Sequence, residues 1–123
     1  MKDLDWGKLT FGYMKTDYNV RCYYHDGKWG ESEVCSDEYI NMHMAATCLH
    51  YGQEAFEGLK AYRCPDGKVR IFRVEENAKR LQSTCDGIVM PQVSTEMFVE
   101  MVEKVVRLNQ EYSPTYESGA TLY

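Results

Sequence analysis

The spacing of apolar residues changes near residue 73, and this change limits the folds that the chain can adopt. Before that point apolar and polar residues alternate, as in a half-buried strand, most clearly at Tyr18, Val20, Cys22 and Tyr24. After it, apolar residues recur every three or four positions, as on one face of a helix. Strands that come first and helices that follow predict an α+β fold rather than a Rossmann alternation.

A β-hairpin is predicted over residues 18–34. Asp26-Gly27 is a strong signal for its turn, because this dipeptide is favoured in tight hairpin connections. After the hairpin we expect a second short strand that includes Ile40 and Met42. A helical turn at residues 45–49 would then lead into the next loop.

A second hairpin is predicted from strands at residues 59–64 and 69–73. Pro65-Asp66-Gly67 supplies the residues that a reverse turn prefers. Thr121-Leu122-Tyr123 looks like a further strand that is cut off early. It would leave an open sheet edge, and such an edge tends to pair with another chain.

Two helices are predicted in the second half of the chain. The first covers residues 75–85, with Gly87 as its terminator. The second covers residues 96–110 and is capped by Ser94 or Thr95. Its apolar positions follow the helical period: Phe98, Met101, Val102, Val105 and Leu108.

The composition argues against several classes of function. The 123 residues carry a net charge of −5 and no basic cluster, so a nucleic-acid partner is not expected. No apolar run approaches the roughly 20 residues that cross a bilayer. Residues 1–6 lack the apolar core of a signal peptide. We therefore expect one domain over residues 1–123, with no membrane partner.

The cysteines and histidines follow no metal-binding or disulfide pattern. The five cysteines are odd in number and widely spaced, which predicts reduced thiols in a cytoplasmic protein. His43 and His50 lie seven positions apart, too far for a typical metal-ligand pair, so no metal site is expected. Cys48 and His50 are two residues apart, which is poor geometry for a base-activated thiol.

Residues 50–62 are unsuited to a single helix face or to a regular strand. They combine two glycines with two tyrosines and a phenylalanine. Gly52 and Gly58 mark places where the backbone turns or closely approaches another group. The aromatic residues between them, Tyr51 and Phe56 among them, are suited to line a pocket.

Several short motifs between about Leu9 and the last residue resemble those of one enzyme family. They are Leu9-Thr10-Phe11-Gly12, His50-Tyr51-Gly52, Phe56-Glu57-Gly58, Val69-Arg70-Ile71-Phe72-Arg73, Glu76-Asn77-Ala78-Lys79-Arg80-Leu81 and Gly119-Ala120-Thr121-Leu122-Tyr123. Together they resemble the branched-chain amino acid aminotransferases, which are pyridoxal-phosphate enzymes of fold type IV. The resemblance implies an antiparallel sheet with helices packed on one face, as in the N-terminal small domain of that fold.

The resemblance also implies an activity and partners. The enzymes of the family use pyridoxal 5'-phosphate to transfer amino groups between branched-chain amino acids (leucine, isoleucine and valine) and 2-oxoglutarate, and they act as homodimers. The family's catalytic lysine and a substrate-binding arginine would lie beyond Tyr123, and no lysine of this chain sits in the matching motif. We therefore expect an N-terminal part of an aminotransferase that is inactive alone, without the second, lysine-bearing domain.

Arg80 is the residue that the resemblance assigns to the cofactor. A guanidinium gives planar, permanently charged and bidentate recognition of phosphate oxygens. The residues alone allow another interpretation, in which Arg80 forms a surface salt bridge with Glu76 one turn earlier. Such a pair is worth only about 0.3–0.5 kcal/mol.

The resemblance assigns the substrate pocket to Tyr51, Phe56, Phe11, Gly58 and Tyr123. The aromatic side chains would exclude water and favour aliphatic substrates, while Gly58 would let the backbone approach the ligand. Each has an alternative interpretation: a half-buried packing tyrosine for Tyr51, core packing for Phe56 and Phe11, and a bulge or turn for Gly58. Tyr123 matches the tyrosine that precedes the carboxylate-binding arginine.

Two other kinds of function remain open from the sequence. D-amino acid aminotransferase and aminodeoxychorismate lyase share the fold, although Phe11-Gly12 and Tyr51 favour the branched-chain enzymes. A self-contained, non-catalytic binding or interaction domain is the alternative from a different class.

Overall fold

The first hairpin forms as predicted, in two short strand pairs. The computed structural model describes residues 1–123. Strand β1 (Asn19–Arg21) pairs antiparallel with β4 (Glu33–Cys35), and β2 (Tyr24–His25) pairs with β3 (Lys28–Trp29) at the tip. The turn residues Asp26-Gly27 have φ of 50° and 79°. Positive φ at both central residues matches the right-handed twist of the flanking strands, and this explains the turn's sequence.

The strand predicted around Ile40 and Met42 is absent. Residues 36–43 form no strand, and the side chain of Arg21 occupies carbonyl groups that a partner strand would otherwise use. Its Nη2 donates to the carbonyl oxygens of Asp37 at 2.6 Å and Tyr39 at 3.0 Å. The helical turn that follows is confirmed as α1 (Thr47–His50).

The second hairpin is confirmed, but the strand pairs do not merge into one sheet. Strand β5 (Ala61–Arg63) pairs antiparallel with β6 (Val69–Ile71). On the other side of β5, Leu122 and Ala61 exchange backbone hydrogen bonds of 2.8 and 3.2 Å, so the last residues pair as a short extension. The expectation of one antiparallel sheet is therefore wrong: there are three separate two-stranded pairs.

Both predicted helices are present and pack against each other. Helix α2 covers Val74–Gly87 and α3 covers Thr95–Leu108. The Ser94 hydroxyl accepts a hydrogen bond of 3.1 Å from the backbone N–H of Met97, which is the predicted N-cap. Helix α2 ends at Gly87, as predicted, but Gly87 has no positive φ, and the left-handed residue of the turn that follows is Val89. Three short 3₁₀ helices complete the fold: Trp6–Lys8, Gln110–Tyr112 and Tyr116–Ser118.

The core is small for a chain of this length. Seven of the 123 residues are buried, and the apolar ones are small: Ala61, Val74, Ala78 and Cys85. The accessible surface is 9126 Å². A compact monomer of 14.3 kDa would expose about 6,800 Å². The chain therefore exposes far more surface, much of it aromatic, than a self-contained domain requires. None of its helices has the length and apolar character to cross a membrane.

Candidate active site

Helix α2 presents two polar side chains, one turn apart, to the segment before β5. The Asn77 Nδ2 donates to the Gly58 carbonyl oxygen at 3.2 Å and to the Glu57 Oε1 at 3.3 Å. Arg80 follows three positions later on the same face and binds the Glu57 carboxylate. Ala78 between them is buried and keeps the helix close to its neighbours. The helix therefore fixes the Glu57-Gly58 segment through both a backbone and a side-chain contact.

Arg80 and Glu57 form a bidentate ion pair. The Arg80 Nε lies 2.7 Å from Oε1 and 3.0 Å from Oε2 of Glu57, and the Arg80 Nη2 also donates to Oε1. The Glu57 side chain is only 6% exposed, whereas that of Arg80 is 67% exposed. Glu76 instead pairs with Lys79 at 2.8 Å. The interpretation of Arg80 as a surface partner of Glu76 is therefore wrong.

The ion pair changes the protonation chemistry of both groups. The hydrogen bond from Arg80 lowers the pKa of the Glu57 carboxyl below its ordinary value, against the opposing effect of burial, and the Asn77 amide lowers it further. The same hydrogen bond raises the pKa of Arg80. Of the three Arg80 nitrogens, only Nε and Nη2 donate to Glu57, so both N–H groups of Nη1 remain free to bind an anion.

Gly58 brings the backbone into contact with Tyr123. A methyl group added at Gly58 would lie 2.6 Å from the Tyr123 hydroxyl and 3.3 Å from the adjacent ring carbon. Gly58 has no positive φ, so close approach explains this glycine better than a turn does. The Tyr123 ring packs on Phe11 at a centroid distance of 5.7 Å. Three predicted pocket residues therefore meet, and Asn77 and Glu57 connect them to Arg80.

The other two predicted pocket residues are largely exposed. The Tyr51 side chain, after α1, is 84% exposed, and Phe56 is 79% exposed next to Glu57. The alternative interpretations of a half-buried tyrosine and a core phenylalanine are therefore wrong. Phe11 is also exposed apart from its contact with Tyr123, so it does not pack in the core either.

The chain is similar to aminotransferases along its whole length. It is 51% identical over 123 residues to the branched-chain-amino-acid aminotransferase of Haemophilus influenzae, covering 100% of this chain and 36% of that protein. It is 44% identical over 123 residues to the enzyme of the same name from Helicobacter pylori, with the same two coverages. It is related to the N-terminal part of branched-chain-amino-acid aminotransferases.

A plant relative supports the same relationship. The chain is 38% identical over 122 residues to the chloroplastic branched-chain-amino-acid aminotransferase 5 of Arabidopsis thaliana, covering 98% of this chain and 29% of that protein. No protein-family model matches the chain. The chain thus spans 36% of the length of the two bacterial branched-chain-amino-acid aminotransferases.

Three residues of this candidate site were not predicted from the sequence. Glu57 and Asn77 hold Arg80 and Gly58, and Gln53 ties the aromatic loop to the turn after α2. The Gln53 Nε2 donates to the carbonyl oxygens of Ile88 at 2.9 Å and Val89 at 3.3 Å. Glu57 and Asn77 had a sequence signal, since they lie within the motifs Phe56-Glu57-Gly58 and Glu76-Asn77-Ala78-Lys79-Arg80-Leu81, whereas nothing in the spacing of Gln53 pointed to its contacts.

Proposed function

We propose that the whole protein containing this chain is a pyridoxal 5'-phosphate-dependent aminotransferase of the fold type IV class. Its substrates would be branched-chain amino acids (leucine, isoleucine and valine) and 2-oxoglutarate. The observation that carries the proposal is the bidentate Arg80–Glu57 pair, which lies next to the Gly58–Tyr123–Phe11 cluster. The pair offers an anion-binding cation beside a surface of aromatic rings.

The residues present fit the phosphate group of the cofactor. The exposed Arg80 guanidinium retains one edge, where an N–H of Nη1 and the second N–H of Nη2 point the same way and can donate to phosphate oxygens in parallel. Glu57 keeps the remainder of the guanidinium in a fixed geometry. When bound, the cofactor supplies an electron sink for the substrate's α-carbon, and the protein supplies binding, orientation and electrostatics.

The aromatic cluster fits the role of a substrate wall. Phe11 and Tyr123 already contact each other, and Phe56 and Tyr51 present further apolar surface. Such a wall would exclude water and favour leucine, isoleucine and valine over polar amino acids. An added methylene in an apolar pocket changes binding by only about 1–3 kcal/mol, so we expect modest discrimination among the three substrates.

The exposed surface supports assembly with further protein. A surface well above that of a compact monomer, with Tyr51 and Phe56 largely in solvent, favours burial against other elements over a self-contained binding domain. We propose that a lysine-bearing second domain and a second subunit cover these residues in a homodimer. Residues 1–123 alone would then be inactive, and borohydride treatment with pyridoxal phosphate should label no single lysine.

The test is an activity assay of the whole protein with a matched pair of arginine variants. Leucine, isoleucine and valine should be transaminated with 2-oxoglutarate, and Arg80→Ala should weaken cofactor binding by about 100-fold or more, since it removes a charge-assisted bidentate contact. Arg107→Ala, which removes an exposed arginine in the last turn of α3, is the control and should bind normally. A preference for D-alanine, or lyase activity without transamination, would assign the protein to another branch of the fold class.

A further inference from the structure

We propose that Glu57 is a positioning residue that presents Arg80 to the cofactor phosphate. This inference rests on the proposed function and extends it to a residue that does not itself touch the cofactor. The carboxylate would set the orientation of the guanidinium before the cofactor arrives, and the free side of the guanidinium would receive the phosphate.

The first support is the unequal exposure of the two partners. Glu57 is almost fully covered, while most of Arg80 is in solvent. An exposed arginine normally samples many rotamers, and a surface ion pair restrains it weakly. Here the Glu57 carboxylate is fixed, so it restrains the exposed Arg80 side chain. A purely structural ion pair would not need the arginine to remain so exposed.

The second support is that Glu57 is itself held in place. The Asn77 amide donates to the same Oε1 that Arg80 contacts and also to the Gly58 carbonyl oxygen. The carboxylate therefore cannot follow Arg80 out into solvent without breaking both contacts. Because its pKa is lowered by these hydrogen bonds, Glu57 remains ionised as an acceptor at neutral pH.

The third support is the way the donors of the guanidinium are divided. Glu57 uses the Nε N–H and one N–H of Nη2, which leaves the second N–H of Nη2 and both N–H groups of Nη1. A phosphate can therefore bind without displacing the carboxylate. The nearby carboxylate reduces the attraction for any anion, so the preference for a phosphate would come from its oxygens accepting the parallel N–H groups of Nη1 and Nη2.

The experiment compares two forms of the cofactor in the whole protein. Dissociation constants for pyridoxal 5'-phosphate and for pyridoxal, which lacks the phosphate, are measured by absorbance or fluorescence titration. The variants are Glu57→Ala and Glu57→Gln, with Glu76→Gln as the matched control because it removes an acid one turn from Arg80 that does not contact it. Arg80→Ala defines the full loss of phosphate recognition.

A positioning role predicts a selective effect. Glu57→Ala should weaken pyridoxal 5'-phosphate binding about tenfold, or about 1.4 kcal/mol, and leave pyridoxal binding unchanged. Glu57→Gln, which keeps one acceptor oxygen, should restore part of the loss, and Glu76→Gln should bind normally. Unchanged pyridoxal binding also shows that the variant is folded.

Three results would overturn the inference. The first is that Glu57→Ala weakens the binding of both ligands equally, which indicates a structural role alone. The second is that Glu57→Ala changes neither dissociation constant. The third is that Glu57→Ala binds pyridoxal 5'-phosphate more tightly. A different result would contradict the proposed function: Arg80→Ala would then bind both ligands as the wild type does. If Arg80→Ala loses phosphate recognition and both Glu57 variants keep it, only the role of Glu57 is wrong.

Discussion

Arg80 binds the carboxylate of Glu57, which lies 23 residues earlier in the chain, and not that of Glu76, which lies one turn away on the same helix. Of these two carboxylates, that of Glu57 is the one that is almost fully buried. An ion pair with a nearly buried carboxylate is screened less by water than an exposed helix pair. The helix α2 is thereby tied to the segment that carries Gly58 and the aromatic cluster.

The Glu57 carboxylate should make stability sensitive to acid. Its folded pKa is lower than its ordinary value of 4.5, so the unfolded chain binds the proton more readily. The contribution is therefore present above the unfolded pKa and is lost as pH falls through the folded pKa. Urea midpoints between about pH 5 and about pH 3 should fall more steeply for the wild type than for Glu57→Gln.

The control for this experiment is Glu54→Gln, which removes an exposed carboxylate that forms no ion pair. Its urea midpoints should follow those of the wild type over the same pH range. If Glu57→Gln also follows the wild type, the ion pair contributes nothing to the acid response and another group is responsible.

Gly58→Ala should destabilise the chain through the Tyr123 hydroxyl. The added methyl group would meet that oxygen at 2.6 Å, and overpacking of this kind costs about 1–3 kcal/mol. We expect the lower end, because the Tyr123 ring is partly exposed and can shift. In a Tyr123→Phe background the nearest ring atoms lie at 3.3 and 3.4 Å, so the same change should cost less. Urea denaturation of the four proteins in this cycle measures the coupling.

Gly87→Ala is the matched control for the glycine experiment. Gly87 ends α2, and a Cβ there would meet no atom within 4 Å. Replacing a helical glycine by alanine should therefore raise stability by about 0.5–1 kcal/mol. Equal losses for Gly58→Ala in the presence and absence of the Tyr123 hydroxyl would show that the close approach has no energetic consequence.

Local signals account for the elements that the sequence predicted correctly. Helix α3 was placed within two residues at each end, because Ser94 is a strong cap and the apolar period is regular. The signal for the turn at Asp26-Gly27 was also local, since these two residues determine the turn type. In both cases the information needed lies within a few residues of the element.

The failures have non-local causes. The strand at Ile40 and Met42 had apolar residues but no partner, and the Arg21 side chain took the carbonyl groups of that region. In the same way, the sequence suggested Glu76, one turn away on the helix, as the partner of Arg80, whereas the fold places the distant Glu57 against it. A single sequence shows periodicity and turn signals, but it does not show which distant side chain will bind a given backbone or side-chain group in the folded chain.

Asn109→Ala should loosen the attachment of the first hairpin to α3. The buried Asn109 side chain accepts from the Tyr18 N–H at 3.0 Å and donates to the Tyr18 carbonyl oxygen at 2.9 Å, as a paired strand would. Truncation leaves the Tyr18 N–H without its partner, while the Tyr18 carbonyl oxygen keeps only the Thr16 hydroxyl at 3.2 Å. The loss should cost about 1–3 kcal/mol in the free energy of unfolding. Thermal and urea unfolding would measure the loss.

Gln92→Ala is the comparison for Asn109→Ala. It removes an amide that donates to the Asp86 carboxylate at 2.7 Å on the exposed surface. Because water replaces that contact, the change should lie within about 0.5 kcal/mol of the wild type. If the two variants lose the same stability, the Tyr18 contacts are not the hairpin's main attachment.

Val89→Gly should stabilise the chain. Val89 has a φ of 57° and a side chain that is 84% exposed. A β-branched residue therefore occupies a strained left-handed conformation, and burial of its side chain does little to offset the strain. That conformation costs an ordinary residue roughly 1–2 kcal/mol, while glycine adds about 0.5–1 kcal/mol of backbone entropy. We expect a net gain of up to about 1 kcal/mol in urea denaturation. Val34→Gly, at an exposed position in β4, should instead lose stability, because β4 is a regular strand. A loss of equal size in the two variants would mean that the left-handed turn at Val89 is not strained.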